Sequence, residues 1–358
     1  MAGRAPETAV LSSQELAASI FTGPDGSAFP YCRDAALSTT LLVMMPFDLL
    51  SLGSLRRALE SLGYMPGAPT YELVAGGVSI THAGLRRRGE TGAGFEAWFA
   101  PAPAPPSARA RALACFALRR ARDARCTLVV CGGNAGDFGW RAAHARALGE
   151  IARAHVVVFD YAGFGRSSGA PSERAVCEDL AAVVASLDGE LAARPLVVYG
   201  HSMGASVAVD FAARGGGGEA GEAGARVAAL VLDGAPASIF GCLGCGTALG
   251  PASVFGLLDP FPNARKIRAV SCPLWFVHGT RDPICPAANA LRLHAAAPRE
   301  ATRHEPIFWV PRGSHGDVLH VAPGEFAARF RRFLDAALAE AARSGLDSAD
   351  NGHVTEPG

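Results

Sequence analysis

The sequence predicts an α/β fold in which a mostly parallel, eight-stranded sheet is doubly wound, with helices on both faces. Short apolar runs recur from residue 71 onward, as expected of buried strands. Alanine-rich segments of helical length lie between the later runs, and right-handed crossovers through such helices build a parallel sheet. The chain has 358 residues, of which 49% are hydrophobic and 18% charged. We therefore expect one large globular domain with a sizeable core.

The predicted elements follow one another in a regular order. Eight apolar runs predict strands at 78–85, 95–100, 127–131, 155–160, 196–200, 227–233, 274–278 and 307–310. Helices are predicted at 140–152, 172–191, 205–214, 287–294 and 325–342. No helix separates the first two strands, so the sheet is expected to begin with an antiparallel pair. The segment 101–125, which is Pro-rich and then Arg-rich, is predicted to be a solvent-exposed connection.

The chain divides into an extension, a main domain and a tail. Residues 1–70 lack strand alternation and end in the turn-rich segment 65–69, which predicts an N-terminal extension. The main domain is expected over 71–342, with a small cap at 234–269 that follows the sixth strand. Residues 343–358 are expected to form a disordered tail.

The extension contains one apolar stretch, Leu37–Leu50. It is shorter than the ~20 residues of a membrane-spanning helix, and it contains Pro46 and Asp48. These features favour a packed or amphipathic helix, and peripheral contact of residues 37–62 with a membrane surface is the second interpretation. The N-terminal residues 1–11 lack the apolar core of a secretory signal.

Charge and cysteine content argue against several classes of function. Lys+Arg and Asp+Glu total 33 each, so no net charge draws the protein to nucleic acid. The nine cysteines are odd in number and scattered through apolar runs, as expected of buried thiols in a reducing, cytoplasmic compartment. Cys242 and Cys245 form a C-x-x-C pair, but no second pair or nearby histidine completes a zinc site, so no metal is predicted.

A G-x-S-x-G pattern at 200–204 predicts the nucleophile. It follows a predicted strand and opens a predicted helix, which is the setting in which this pattern forms a sharp, strained turn that presents its serine above a sheet. We expect Ser202 to be the nucleophile and Gly200 and Gly204 to allow close passage of neighbouring chains. The N–H of Met203, at the start of the helix, is a predicted oxyanion donor.

A serine hydroxyl near neutral pH needs an adjacent imidazole that is held in turn by a carboxylate. The chain order expected in this setting is serine, acid, histidine. Asp282 lies just past the seventh predicted strand and is the predicted acid, with Asp233, at the end of the sixth strand, as the alternative. His315, in the loop between the last strand and the final helix, is the predicted base, with His320 as the fallback.

A glycine-rich turn at 132–137 follows the third predicted strand. We expect the N–H of Asn134 to be the second oxyanion donor. The turn lacks the Lys-Ser/Thr of a P-loop and the glycine spacing of a dinucleotide site, so no cofactor is predicted. His201 directly precedes Ser202 on the turn and is interpreted as a positioning or core residue.

Six segments between about Tyr71 and Leu338 carry a family resemblance. They are Gly133–Gly136, Phe159–Ser172, Tyr199–Gly204, Asp259–Asn263, Val277–Asp282 and Gly313–His315. The sequence resembles the α/β-hydrolase domain-containing family 17 and is similar to its relatives, families 12 and 13. The resemblance implies the α/β-hydrolase fold, a Ser-His-Asp triad and hydrolysis of acyl esters or thioesters. The implied substrates are S-acylated proteins in family 17 and lysophospholipids or acylglycerols in other members.

Two departures from the family pattern bear on this expectation. Gly132 stands where the family has a histidine before Gly-Asn-Ala, which affects the shape of the oxyanion loop. The cysteine-rich N-terminal cluster of the depalmitoylating members is absent, since Cys32 is alone in the first 114 residues. Without that second anchoring signal, the sequence supports constitutive membrane attachment less strongly, and it supports a depalmitoylating activity less strongly as well.

We therefore expect a cofactor-independent serine hydrolase that cleaves carboxylic ester or thioester bonds through an acyl-enzyme. Its substrate is expected to be a small-molecule acyl ester, such as a lipid ester, or an S-acylated protein. Six apolar residues of the cap suit an acyl chain or simply pack: Phe240, Leu243, Leu249, Phe255, Leu257 and Phe261. Three alternatives stay open, namely a serine peptidase, a non-catalytic binding protein and a cofactor-free lyase. The sequence carries no signal of oligomeric state.

Overall fold

The computed structural model describes residues 64–350 apart from residue 76 and segments 88–91, 104–109, 121–122, 217–226 and 239–259. The apolar stretch Leu37–Leu50, most of the predicted cap and residues 351–358 lie outside the described residues. The described chain begins with a two-stranded antiparallel ribbon, β1 (Tyr71–Val74) and β2 (Gly77–Ile80), followed by the short helix α1 (Ala83–Arg87).

Eight strands of the described chain form the main sheet, in the order β10-β9-β8-β7-β5-β6-β4-β3. They are β3 (Phe95–Ala102), β4 (Arg111–Leu118), β5 (Thr127–Cys131), β6 (His155–Phe159), β7 (Leu196–His201), β8 (Val227–Asp233), β9 (Leu274–Gly279) and β10 (Phe308–Val310). Strand β4 is antiparallel to both of its neighbours, and every other neighbouring pair is parallel. The predicted mostly parallel, eight-stranded sheet is confirmed.

The prediction that 101–125 is an exposed connection was wrong, because this segment contains β4. Strand β4 pairs with β3 along eight residues and with β6 on its other side. The Arg111 guanidinium at the start of β4 is buried and lies 2.6 Å from the Asp179 carboxyl. This arginine therefore lies inside the protein and not on the exposed surface that its charge predicted. The predicted strand 78–85 is not part of the main sheet, since only its first residues are extended, in β2.

Helices connect the parallel strands and flank the sheet. They are α2 (Phe138–Ala152), α3 (Glu173–Ala185), α4 (Gly189–Ala192), α5 (Met203–Ala213), α6 (Asn263–Lys266), α7 (Ala288–Ala296), α8 (Val318–Val321) and α9 (Pro323–Asp350). The Asp137 and Ser172 side chains accept backbone N–H groups at the starts of α2 and α3, which satisfies donors that a helix leaves free. Helix α9 continues into the predicted disordered tail, so that boundary was placed too early.

Two apolar layers sandwich the sheet, because successive side chains of a strand point to opposite faces. Val129 and Cys131 of β5 pack on one layer, with α3, α5 and α7, whereas Leu128 and Val130 pack on the other, with α2 and α9. Phe261, which the sequence placed in the cap, is 2% exposed and packs in the first layer. None of the helices in the described ranges combines the length and apolarity needed to cross a bilayer.

The parallel arrangement determines where a site can form. Strands β5, β7, β9 and β10 run in the same direction, so their carboxyl ends lie along one edge of the sheet. Loops that leave such an edge are the usual location of functional residues in open α/β sheets. The glycine-rich turn, Ser202, Asp282 and His315 all follow these four strand ends.

The buried position of β4 is testable through two phenylalanines of one hairpin. Phe116 of β4 is fully buried and stacks on Phe138 at 3.9 Å between ring centroids, whereas Phe99 of β3 is 47% exposed. We expect Phe116→Ala to lower the free energy of unfolding by about 3–5 kcal/mol, because it leaves a cavity, and Phe99→Ala to change it by less than about 1 kcal/mol. Urea unfolding measures both, and equal losses would contradict the placement of β4.

Candidate active site

Ser202 lies at a sharp turn between β7 and α5. Its backbone has φ 55° and ψ −121°, a conformation that non-glycine residues rarely adopt and that surrounding structure must hold in place. A Cβ on Gly200 would lie 2.5 Å from the Cα of Ala205, and a Cβ on Gly204 would overlap the backbone of Cys131. Both positions therefore require glycine, and the turn that carries Ser202 passes close to the end of β5.

Ser202, His315 and Asp282 form a continuous hydrogen-bonded chain. The His315 Nδ1–H donates a hydrogen bond to Asp282 Oδ2, at 2.7 Å between the nitrogen and the oxygen. With Nδ1 protonated, Nε2 is the acceptor, and the Ser202 hydroxyl donates to it at 2.8 Å. This arrangement can draw the proton from the serine and raise its nucleophilicity.

Asp282 is held as a carboxylate by its surroundings. Its Oδ1 accepts the N–H groups of Ile284 and Cys285 at 2.9 and 2.7 Å. Burial acts to raise the pKa of this carboxyl, but the hydrogen bond and charge of His315, with the Cys285 amide, hold the pKa below its ordinary value. A carboxylate in this position keeps the imidazole in one tautomer and stabilises the imidazolium.

The alternative acid, Asp233, has a different partner. Its Oδ2 accepts the Tyr199 hydroxyl at 2.7 Å beneath the turn, and its carbonyl accepts the Ser202 N–H at 2.9 Å. Asp233 therefore stabilises the turn at Ser202 through its backbone carbonyl. Asp282 is the carboxylate that accepts a hydrogen bond from His315. The fallback base, His320, lies in α8, one short helix beyond His315.

His201 contacts the backbone of His315. Its Nε2–H donates to the His315 carbonyl at 3.0 Å, and the two ring centroids are 5.1 Å apart. Burial lowers the pKa of His201, which keeps the ring neutral. His201 thus connects the turn that carries Ser202 to the loop that carries His315.

The glycine-rich turn borders the serine from the side of β5. A Cβ built on Gly133 would lie 3.6 Å from the Cβ of Ser202. The Met65 N–H donates to the Asn134 carbonyl at 2.9 Å, which fixes the outer side of the turn. The Met203 N–H is at the first position of α5, where helix amides and the helix dipole favour developing negative charge. The Asn134 and Met203 amides thus belong to the two segments that flank Ser202.

Sequence reasoning missed two buried ionisable residues next to the glycine-rich turn. Arg141 of α2 donates to three carbonyls of the turn, and Asp160, at the end of β6, lies 3.7 Å from its guanidinium. Asp160 also accepts the Tyr71 hydroxyl and the Phe138 N–H, at 2.6 and 2.7 Å. The only sequence signal was the Phe159–Ser172 segment, which contains Asp160, and no pattern pointed to Arg141.

In the described ranges, no group of three or more His, Cys, Asp or Glu side chains is arranged to hold a metal ion. The C-x-x-C pair Cys242 and Cys245 lies outside those ranges.

Known proteins share this fold and sequence pattern. The family profile described as alpha/beta hydrolase fold matches residues 127–266. The chain is 31% identical over 230 residues to alpha/beta hydrolase domain-containing protein aho-3 of Caenorhabditis elegans, covering 63% of this chain and 63% of that protein. It is 30% identical over 230 residues to alpha/beta hydrolase domain-containing protein 17B of Xenopus tropicalis, covering 64% of this chain and 73% of that protein.

Solved structures support the fold. An esterase of Pyrococcus furiosus superposes with a TM-score of 0.51 at 18% identity, covering 68% of this chain and 91% of that one. A carboxyl esterase of Bacillus coagulans superposes with a TM-score of 0.51 at 14% identity, covering 68% of this chain and 99% of that one. At these identities the likeness is one of fold.

The buried Asp160 predicts a pH dependence of stability. Burial raises the pKa of Asp160 to about 7, although Arg141 lowers it, and the unfolded value is ~3.9. Between about pH 4 and 7 the folded chain keeps this proton and the unfolded chain has lost it, so rising pH favours unfolding. We expect wild type to lose stability relative to Asp160→Asn across this window, by urea unfolding at several pH values. A constant difference would contradict the assignment.

Two matched pairs of variants test the hydrogen-bonded chain. We expect Asp282→Asn to slow covalent labelling of Ser202 by a fluorophosphonate by about 10⁴-fold, because the imidazole loses its tautomer, and His315→Ala to slow it at least as much. Asp233→Asn and His320→Ala are expected to label within about tenfold of wild type. Mass spectrometry locates and times the adduct, and a faster rate for Asp282→Asn than for Asp233→Asn would reverse the assignment of the acid.

Proposed function

We propose that this chain, which belongs to the α/β-hydrolase domain-containing family 17, is a serine hydrolase that cleaves carboxylic ester or thioester bonds of acyl substrates. The observation that carries the proposal is the hydrogen-bonded chain from Asp282 through His315 to Ser202. The alpha/beta hydrolase profile and the relatives in family 17 support hydrolysis as the general class of reaction. A small-molecule acyl ester, such as a lipid ester, or an S-acylated protein is the proposed substrate.

The proposed reaction proceeds in two acyl-transfer steps. His315 Nε2 takes the proton of Ser202 as Oγ attacks the carbonyl carbon, and the carbonyl π electrons move to oxygen. The amides of Asn134 and Met203 stabilise that oxyanion. The tetrahedral intermediate then collapses, the bond to the leaving alcohol or thiol breaks, and the leaving group takes the proton from His315.

Water completes the cycle by the same route. It gives a proton to His315 Nε2 and attacks the acyl carbon, and the second tetrahedral intermediate releases the acid while Ser202 regains its proton. Asp282 remains ionised throughout and stabilises the imidazolium. No step requires a cofactor.

A chromogenic ester series from acetate to palmitate, with one acyl thioester, tests the proposal. We expect wild type to hydrolyse at least one chain length and Ser202→Ala to lose about 10⁴–10⁶-fold in kcat, because the nucleophile is gone. Ser186→Ala serves as the matched control. Ser186 follows α3 and accepts a hydrogen bond from the Trp98 indole, and its replacement is expected to leave kcat at the wild-type value. Rates are read from the released chromophore.

The other outcomes point to the alternatives. Turnover that survives Ser202→Ala would overturn the mechanism. Fluorophosphonate labelling without turnover of any ester or thioester would overturn the acyl-ester assignment, and cleavage of free N-terminal peptides in that case would support a peptidase. Absence of both labelling and turnover would leave a non-catalytic binding protein or a cofactor-free lyase.

A further inference from the structure

The guanidinium of Arg141 lies beneath the glycine-rich turn Gly132–Asp137, between that turn and Asp160. We infer that Arg141 is a positioning residue that orients the Asn134 amide as an oxyanion donor for the reaction at Ser202. The inference rests on the proposed function, because an oriented oxyanion donor matters only if an acyl group reacts at Ser202.

One nitrogen of Arg141 holds most of the turn. Its Nη2 lies 2.9 Å from the carbonyl oxygens of Ala135 and Gly136 and 3.3 Å from that of Gly133. Carbonyls of an irregular turn have no ladder partners. In this turn Gly133 and Gly136 are half-buried and Ala135 is exposed, and Arg141 is the donor that reaches all three carbonyls from the protein side. Arg141 is 9% exposed, so its donors face protein more than water.

The direction of the Asn134 N–H follows from peptide geometry. The Gly133 carbonyl and the Asn134 N–H belong to one planar trans peptide and point in opposite directions. Arg141 binds that carbonyl, so the N–H points away from Arg141. Met65 holds the next carbonyl, that of Asn134, at 2.9 Å. Both peptides that flank Asn134 are therefore fixed, on a turn whose Gly133 borders Ser202.

Gly132 provides the space for the guanidinium. A Cβ on Gly132 would overlap the Nε and Cζ of Arg141, and the nearest atoms to that position all belong to Arg141. The guanidinium cannot simply move aside. Movement would break its hydrogen bonds to the turn carbonyls and separate it from the fully buried Asp160, which lies 3.7 Å away. Arg141 and the absence of a side chain at 132 thus depend on each other.

A double-mutant cycle in the full-length protein tests the coupling. We expect Arg141→Ala to lower kcat on the best chromogenic ester by about 10–100-fold, with KM within about threefold, because loss of a whole oxyanion donor costs about 10²–10³. Gly132→Ala alone is expected to lower kcat by about tenfold. In the Arg141→Ala background Gly132→Ala is expected to cost less than about threefold, since the overlap is gone.

Controls separate positioning from general stability. Rates are expressed per serine labelled by fluorophosphonate, so misfolded chains do not count. A trifluoromethyl ketone, whose adduct carries an oxyanion, is expected to lose affinity in parallel with kcat/KM. Arg111→Ala removes another buried arginine with a buried carboxylate partner, Asp179, and is expected to keep wild-type kcat per labelled serine. If Arg141→Ala does not fold, Arg141→Lys carries the test, with an intermediate kcat because lysine lacks the guanidinium fork.

The outcomes distinguish this inference from the proposed function. Wild type that neither labels nor turns over esters would overturn both. Wild type that turns over esters through Ser202, with Arg141→Ala or Arg141→Lys at wild-type kcat and ketone affinity, would overturn only the role of Arg141. Additive losses in the double-mutant cycle, or an equal loss in Arg111→Ala, would also overturn it.

Discussion

The close approach of α5 to the end of β5 is the constraint on which the site depends. Gly204 lets the backbone of the first turn of α5 contact Cys131 and Gly132, and this contact holds Ser202 in a strained backbone conformation. The Ser202 N–H is bonded to the carbonyl of Asp233 on the neighbouring strand. The contact with β5 and the hydrogen bond to β8 together offset the backbone strain at Ser202. The Ser202 hydroxyl faces the loops that follow β9 and β10.

Two kinds of support surround this turn. Asp282 and His201 hold His315 through its ring and through its carbonyl, so the imidazole has little freedom to turn away from the serine. On the other side, the Arg141 guanidinium and the buried carboxyl of Asp160 form a close pair, 3.7 Å apart, under the glycine-rich turn. Such a pair contributes a defined geometry more than net stability, since desolvation offsets much of its attraction.

Several elements could be predicted because their chemistry is local. The sharp turn at Ser202 and the buried parallel strands follow from glycine spacing and apolar runs. Strand β4 was missed because its sequence, Arg111–Leu118, is alanine-rich and begins with an arginine, whose partner Asp179 is distant in the chain. The sequence favoured Asp282, which lies just past a strand end, over Asp233, which closes a strand. The contact with His315 is what separates the two carboxylates.

The amino-acid sequence by itself determined the fold class, the strained turn and the residue types at the carboxyl ends of the strands, because periodicity and glycine placement act over a few residues. Only the tertiary structure decided which carboxylate accepts a hydrogen bond from His315. It also showed that Asp233 accepts a hydrogen bond from the Tyr199 hydroxyl instead. It also brought Arg141 beneath Gly132. These contacts join residues far apart in the chain, and their partners are selected by packing and burial, which no local pattern records.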